Sequence, residues 1–314
     1  MIGSNIVKGL NNSGINRIII VDDLRDGRKF QNICDLDFED YIDFEDFISL
    51  IKNKFYFGNI EIIFHQGACS KTTEWDGKYL MANNYEYSKT LLNWSQEIKA
   101  QFIHASSASV YGLGKNGFKE RIECENPINP YAFSKFMFDR YIRNILKSRI
   151  KDDHNQIVSL RYFNVYGPRE NHKDEMASTI FHFHNQIKRD NVCRLFEGFD
   201  GYKDGEQKRD FVYVEDCVNV NLWFMNNQSK SGIFNVGTGN PETFNTVSKN
   251  ILDWHKENKK SDPKAKYIPF PEELKGSYQS FTKADITNLR RVGYSHKFHP
   301  LKEGIYKYIS WLEK

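Results

Sequence analysis

The chain has 314 residues, enough for about two domains and a core that needs neither disulfides nor a structural metal. Its formal net charge is only +3 and no basic run forms a stripe, which excludes a nucleic-acid-binding protein. The five cysteines, Cys34, Cys69, Cys124, Cys193 and Cys217, include no C-x-x-C pair, so neither a disulfide framework nor a zinc site is expected.

No apolar run approaches the ~20 residues of a membrane span, and Met1 to Leu10 lacks a signal-peptide core. A cytoplasmic location is therefore the expectation. In chain order, Ile6 and Leu10 stand four apart ahead of Gly14, the pattern of a short helix with a glycine cap. Arg17-Ile-Ile-Ile-Val-Asp22 reads as a buried strand, as do Glu61–His65, Gln101–Ser106 and Ile157–Arg161. Pro130 opens a helix that places Phe133, Met137, Tyr141 and Ile145 on one face. The alternation of strand and helix predicts an α/β chain with a doubly wound parallel sheet. After residue 166 the pattern becomes irregular, with charged, glycine-containing stretches at Asn171–Glu175 and Glu197–Lys208. Gly232-Ile-Phe-Asn-Val-Gly237 is a further strand, expected to return to the sheet.

The most informative segment is Tyr131-Ala-Phe-Ser-Lys135. Tyr and Lys at i and i+4 share a helix face. A neighbouring ammonium favours the phenolate and is expected to lower the tyrosine's ordinary value of about 10. Alone, the pair also fits an amphipathic helix with an incidental Tyr and Lys. Upstream, however, a strand ends in Ser106-Ser107-Ala108-Ser109-Val110-Tyr111-Gly112, where a serine at the carboxyl end points into a ligand crevice. Serine followed by Y-x-x-x-K resembles the extended short-chain dehydrogenase/reductase family. Arg161-Tyr-Phe-Asn-Val-Tyr-Gly-Pro168 and Arg209-Asp-Phe-Val-Tyr-Val-Glu-Asp216 are similar to two further motifs of that family. In the second, an Arg fork suits the oxygens of a substrate diphosphate. The alternative for Arg209 is a surface ion pair with Asp210 or Glu206.

Three segments carry a narrower likeness: Gly67-Ala-Cys-Ser-Lys-Thr-Thr-Glu-Trp-Asp-Gly77, Pro168-Arg-Glu-Asn-His-Lys173 and Leu274-Lys-Gly-Ser-Tyr-Gln-Ser-Phe281. They resemble the ADP-glyceromanno-heptose 6-epimerases, over essentially the whole chain. The resemblance implies inversion at carbon 6 of an ADP-heptose, by hydride removal and return through NADP, for the lipopolysaccharide inner core. It implies a homo-oligomer, a pentamer in related members. It also implies an NADP-binding domain of 1–166 plus about 210–240, and a smaller mixed α/β substrate domain of about 167–209 and 241–314.

The same resemblance assigns roles. Tyr131 and Lys173 are the acid/base residues and Ser107 orients the reacting hydroxyl. Lys135 binds the cofactor ribose and tunes Tyr131. Gly3, Asp22, Asp23, Lys29, Gln66, Gly67, Ala68, Cys69, Ser70, Asn83, Val165 and Lys173 match cofactor positions. Asn164, His182, Phe196, Glu197, Gly198, Phe199, Arg209 and Tyr278 match substrate positions. Without the likeness, Lys173 reads as a solvated loop lysine beside Asp174.

Departures from the family are specific. Its first strand and G-x-x-G-x-x-G turn are represented only by Gly3, so a further strand ahead of Met1 is expected, lying between the strand ending at Asp22 and the one ending near Ser107. Asp22-Asp23 replaces Asp-Asn, and Phe44 stands where some relatives carry a Lys, which favours NAD, whereas Lys29 remains as a phosphate partner for NADP. Glu175 stands at a substrate-binding Ser, and Asp200–Gln207 is longer than in relatives. A dehydratase needs an Asp-Glu pair where Ala108-Ser109 stand. A hexose 4-epimerase manages with one tyrosine. A relic without its cofactor is the remaining alternative.

Overall fold

The computed structural model describes residues 1–148, 155–276 and 278–314. Ser277, within the Leu274–Phe281 segment, lies outside the described residues. The first elements are helix α1 (Ile2–Asn12), strands β1 (Ile19–Asp22) and β2 (Asp40–Asp43), helix α2 (Phe44–Lys52) and strand β3 (Ile62–His65). Helices α3 (Gly77–Leu80) and α4 (Tyr87–Glu97), strand β4 (Gln101–Ser107), helix α5 (Pro130–Ser148) and strand β5 (Ile157–Tyr162) follow. Next come β6 (Asn164–Tyr166), α6 (Thr179–Asp190), β7 (Val192–Phe196), β8 (Lys208–Arg209), β9 (Phe211–Tyr213), α7 (Val214–Met225) and β10 (Gly232–Val236). The chain ends through β11 (Glu242–Thr243), α8 (Phe244–Lys259), β12 (Lys264–Ile268), α9 (Thr287–Arg291) and α10 (Leu301–Leu312).

The central sheet has four strands in the order β10-β5-β4-β3. Strands β3 and β4 run parallel, Ile62 opposite Gln101 and His65 opposite His104. Every residue of β5 is buried, as a strand covered on both faces must be. Strands β1 and β2 form a separate parallel pair. In this order β3, ending at His65, forms one edge of the central sheet, and β4, ending at Ser107, lies inside it between β5 and β3, so a further strand cannot pair directly with β4 as expected from sequence. Residues 232–236 return to the central sheet as expected.

Local signals explain the element ends. Helix α1 buries Ile6 and Leu10 against Val218, with Ile18 and Phe64 packed around them. Asp43 caps α2 by accepting from Glu45 N–H at 2.9 Å, and Glu45 and Asp46 complement the first-turn dipole. Helix α5 is turned relative to the sequence expectation. Its core face carries Ala132, Lys135, Phe138, Asp139 and Ile142, whereas Phe133 is exposed. The face with the polar Tyr131, Lys135 and Asp139 faces β4, and that orientation leaves Phe133 outside.

By contacts the chain divides into two units of similar size. The first comprises Met1–Val110, Asn129–Arg161 and Val218–Phe234; its core packs Phe47, Ile51, Leu91, Leu92, Phe102, Phe138, Ile142 and Ile157. The second comprises Tyr111–Ile128, Tyr162–Cys217 and Asn235–Lys314, so residues 111–128 join it rather than the first unit. In it, β7 and β12 form a parallel pair from Val192 opposite Lys264 to Phe196 opposite Ile268. Among the described residues no helix is long and apolar enough to cross a membrane.

Candidate active site

In the first unit the chemistry centres on the carboxyl end of β4. Tyr131, Lys135 and Asp139 recur every four residues along α5 and engage consecutive positions of that strand. The Tyr131 hydroxyl hydrogen-bonds Ser107. Lys135 Nζ donates to the Ala105 carbonyl at 2.8 Å. Asp139 accepts from Ser106 Oγ at 2.9 Å, Ser159 Oγ at 2.7 Å and Arg161 Nε at 2.7 Å. Asp139 and Arg161 are both fully buried. Sequence reasoning missed this pair; the signal was a carboxylate four residues beyond Lys135.

Burial pushes Tyr131 above the ordinary tyrosine value, with the Ser107 bond opposing it. This corrects the expectation that Lys135 lowers it: burial raises the value, and the Lys135 ammonium is turned to the Ala105 carbonyl. Burial brings Lys135 itself down to about 8, against the pull of Asp139.

The expected cofactor positions of the first unit fall on three elements. Gly3 lies in the first turn of α1, where no side chain caps the backbone N–H groups and no acidic residue intrudes. Such a helix start suits an anion. At the end of β1, Lys29 Nζ meets Asp22 Oδ1 at 2.6 Å and also bonds the Asp23 carbonyl. Arg25 grips the Asp23 carboxylate from Nε at 3.0 Å and Nη2 at 2.7 Å, and its guanidinium lies 5.5 Å over Phe44. That hydrogen bond holds Asp23 below the usual carboxylate range. Arg25 was not singled out from sequence, although its guanidinium lies over Phe44, the position that was. After β3, the loop Gln66, Gly67, Ala68, Cys69, Ser70 is pinned by the buried Asn84, which accepts from Cys69 N–H at 2.9 Å and donates to its carbonyl at 3.0 Å. Asn84 also donates to Ser134 Oγ at 3.1 Å, and its neighbour Asn83 is the position expected from sequence. An open helix start and a buried lysine as donors, with a strand-end carboxylate as acceptor, fit a nicotinamide dinucleotide.

The remaining expected residues lie in the second unit. Val165 and Asn164 are on β6; Asn164 Oδ1 accepts from Thr282 Oγ1 at 3.2 Å. Lys173 sits in the turn Asn171–Met176, half-buried. Burial lowers its ammonium below the ordinary lysine value, with the Glu170 carboxylate opposing. His182, on α6, places Nε2 3.3 Å from the Glu175 carbonyl. Arg209 is 6% exposed, and its guanidinium lies 4.6 Å over the Tyr278 ring and 5.8 Å over Phe244. The ion pair considered from sequence is not formed. Asp210 takes the Thr238, Gly239 and Ala284 N–H groups instead, and Glu206 takes Asn245. Burial accordingly pulls the Arg209 guanidinium below its ordinary value. Phe270 links this cation to an aromatic surface: Tyr278 at 5.1 Å, Phe196 at 5.5 Å and Phe199 stacked at 4.3 Å. Glu197 N–H bonds the Ile268 carbonyl at 2.9 Å. At Gly198 a Cβ would meet the Tyr202 carbonyl at 2.3 Å, so only glycine fits this turn. A buried guanidinium with no carboxylate partner among the described residues, beside stacked rings, suits a nucleoside diphosphate.

Residues 1–237 match the NAD dependent epimerase/dehydratase family. Among solved structures, the ADP-L-glycero-D-manno-heptose-6-epimerase of Helicobacter pylori is 30% identical with a TM-score of 0.82, covering 100% of this chain and 93% of that one. The UDP-N-acetylglucosamine 4-epimerase of Methanobrevibacter ruminantium is 25% identical with a TM-score of 0.81, over 100% and 95%. The UDP-glucose 4-epimerase of Thermotoga maritima is 27% identical with a TM-score of 0.78, over 100% and 96%.

Proposed function

The chain belongs to the NAD dependent epimerase/dehydratase family, and from that premise we propose that it is an ADP-glyceromanno-heptose 6-epimerase that works through NADP. The observation that carries the choice of sugar position is Lys173: a lysine pulled below its ordinary value by burial, additional to the Tyr131 group. One acid/base serves an enzyme that turns its sugar over. Two serve an enzyme that exchanges a proton with either epimer from its own side.

In this reading Ser107 and Tyr131 hold one epimer's C6 hydroxyl, and Tyr131 takes its proton as the carbon–hydrogen bond breaks. A nicotinamide held at its ribose by Lys135 would supply the hydride acceptor and donor for that carbon. Lys173 would give the proton to the same oxygen from the opposite face of the sugar, which yields the opposite epimer. The roles exchange in reverse. Lys135 holds the cofactor ribose. Arg209 and the rings of Tyr278, Phe270, Phe196 and Phe199 hold the ADP moiety, with Asn164 and His182 on the sugar side. NADP is supported by Lys29 and Arg25, which neutralise the Asp22-Asp23 carboxylates that otherwise disfavour a 2′-phosphate. The reading extends to the supply of lipopolysaccharide core heptose in the cytoplasm by a homopentamer.

The test offers purified protein ADP-D-glycero-D-manno-heptose, UDP-glucose and UDP-N-acetylglucosamine in parallel, with products separated by anion exchange. Inversion of the heptose alone is the expected result. Inversion of a UDP-hexose with the heptose untouched replaces this reading by that of a 4-epimerase.

A further inference from the structure

Lys173 lies on a stretch that no strand pairing holds, yet a proton-transfer group must be fixed to a fraction of an ångström. The residues that fix it are within the second unit. Glu170, three positions earlier, is completely buried. Its carboxylate accepts from Ser178 N–H at 2.7 Å through Oε2 and from Ser178 Oγ at 2.6 Å through Oε1. Oε1 also takes a long contact from Gly167 N–H at 3.5 Å. The Glu170 carbonyl accepts the backbone N–H of Lys173 itself at 2.9 Å.

Gly167 and Ser178 bracket the loop. Gly167 has φ 140°, and a Cβ there would strike Val214 Cγ1 at 2.6 Å, so its end of the loop is seated against a fixed neighbour. Ser178 caps helix α6 through a bond from Phe181 N–H at 3.2 Å, so the other end is joined to a rigid element. Within the loop, Asp174 is held at φ 46°, ψ −121°, a backbone that non-glycine residues adopt only when their surroundings impose it. A buried carboxylate is stable only when its oxygens are satisfied; Ser178 supplies both short bonds, and the Tyr308 hydroxyl of α10 also faces this carboxylate.

We infer that Glu170 is the positioning residue of Lys173, its buried carboxylate clamping both ends of the loop that presents the lysine. The inference rests on Lys173 being a proton-transfer group. Glu170 does not touch substrate; it acts through the loop. Its carboxylate also favours the Lys173 ammonium against burial, a second contribution with the same partner.

The experiment compares full-length Glu170→Gln, Ser178→Ala, Lys173→Met and Tyr131→Phe. Each pure ADP-heptose C6 epimer is added separately, and single-turnover formation of reduced nicotinamide is followed. If Lys173 is one of two bases, Lys173→Met slows one epimer and spares the other, and Tyr131→Phe does the reverse. Glu170→Gln is then expected to slow the Lys173-dependent epimer about 10²-fold and leave the other unchanged. Ser178→Ala, which keeps the carboxylate and one of its donors, gives a smaller defect on the same side and carries the test should Glu170→Gln fail to fold. Equal slowing of both epimers, or no change while Lys173→Met is one-sided, overturns the inference. A symmetric Lys173→Met overturns the two-base reading instead. Amide hydrogen exchange at residues 171–178 is independent of turnover. Faster exchange in Glu170→Gln supports the clamp, and unchanged exchange overturns it.

Discussion

Arg209 offers a perturbation whose two consequences have opposite signs. The guanidinium is 6% exposed, has no carboxylate partner among the described residues, and makes one long bond of 3.4 Å to the Lys208 carbonyl. Stacking over Tyr278 at 4.6 Å returns up to about 2 kcal/mol at a desolvated site. Burying an uncompensated ion costs several kcal/mol even after relaxation. Arg209→Met keeps the volume and the ring contact while removing the charge. The substrate-free protein should therefore gain about 1–3 kcal/mol, seen as a rise of several degrees in Tm. Substrate binding should move the other way. Loss of charge-assisted bonds to a diphosphate removes about 1.5–3 kcal/mol, or about 10–150-fold in KM. The diphosphate is unchanged during the reaction, so kcat should be largely retained. Thermal melts and steady-state kinetics on the purified variant provide the assay. A lower Tm together with a collapsed kcat and an unchanged KM would refute the assignment, making Arg209 a structural residue.

Tyr131→Phe and Lys173→Met should each reduce steady-state epimerisation by about 10²–10⁴-fold, and the double variant far less than the product; near wild-type rates in Lys173→Met would remove the two-base mechanism. Arg161→Met leaves Asp139 buried and uncompensated, with an expected loss of about 3–5 kcal/mol in urea melts. A loss below about 1 kcal/mol would mean that water reaches Asp139. Burial holds His65 at about 3 and His184 at about 4, below the ordinary 6.5. The unfolded chain therefore binds these protons first as pH falls, so stability is complete above pH 6.5 and drains toward pH 4. Urea midpoints at neutral and mildly acidic pH should show the fall, with a shallower one in His184→Gln; an identical slope in that variant contradicts the assignment.

The sheet was legible because β3, β4 and β5 carry short apolar runs that strands covered on both sides must have, although β5 turns Ser159 and Arg161 to the buried Asp139. Ser107, Tyr131 and Lys135 were legible because fixed spacing along one strand and one helix brings them together. Four things were hidden because they depend on tertiary contacts. Of the apolar face expected for α5, Tyr141 and Ile145 do pack on the core, but Phe133 is exposed and Phe138 buried, and only packing decides between two equally hydrophobic rings. The direction of the Tyr131 shift is set by burial in the folded chain, which no single segment of sequence shows. Arg25, Asn84, Asp139 and Glu170 act through partners distant in sequence or through local turns, and their types are common on any surface. The pairing of β1 with β2 alone was equally beyond a reading of single segments.

The central claim is inversion by hydride removal and return at one carbon. It is tested most directly with ADP-glyceromanno-heptose carrying deuterium at C6. The account predicts the opposite C6 epimer with deuterium retained at that carbon, in water and without added cofactor turnover. Deuterium lost to solvent, or release of an undeuterated epimer, would contradict it.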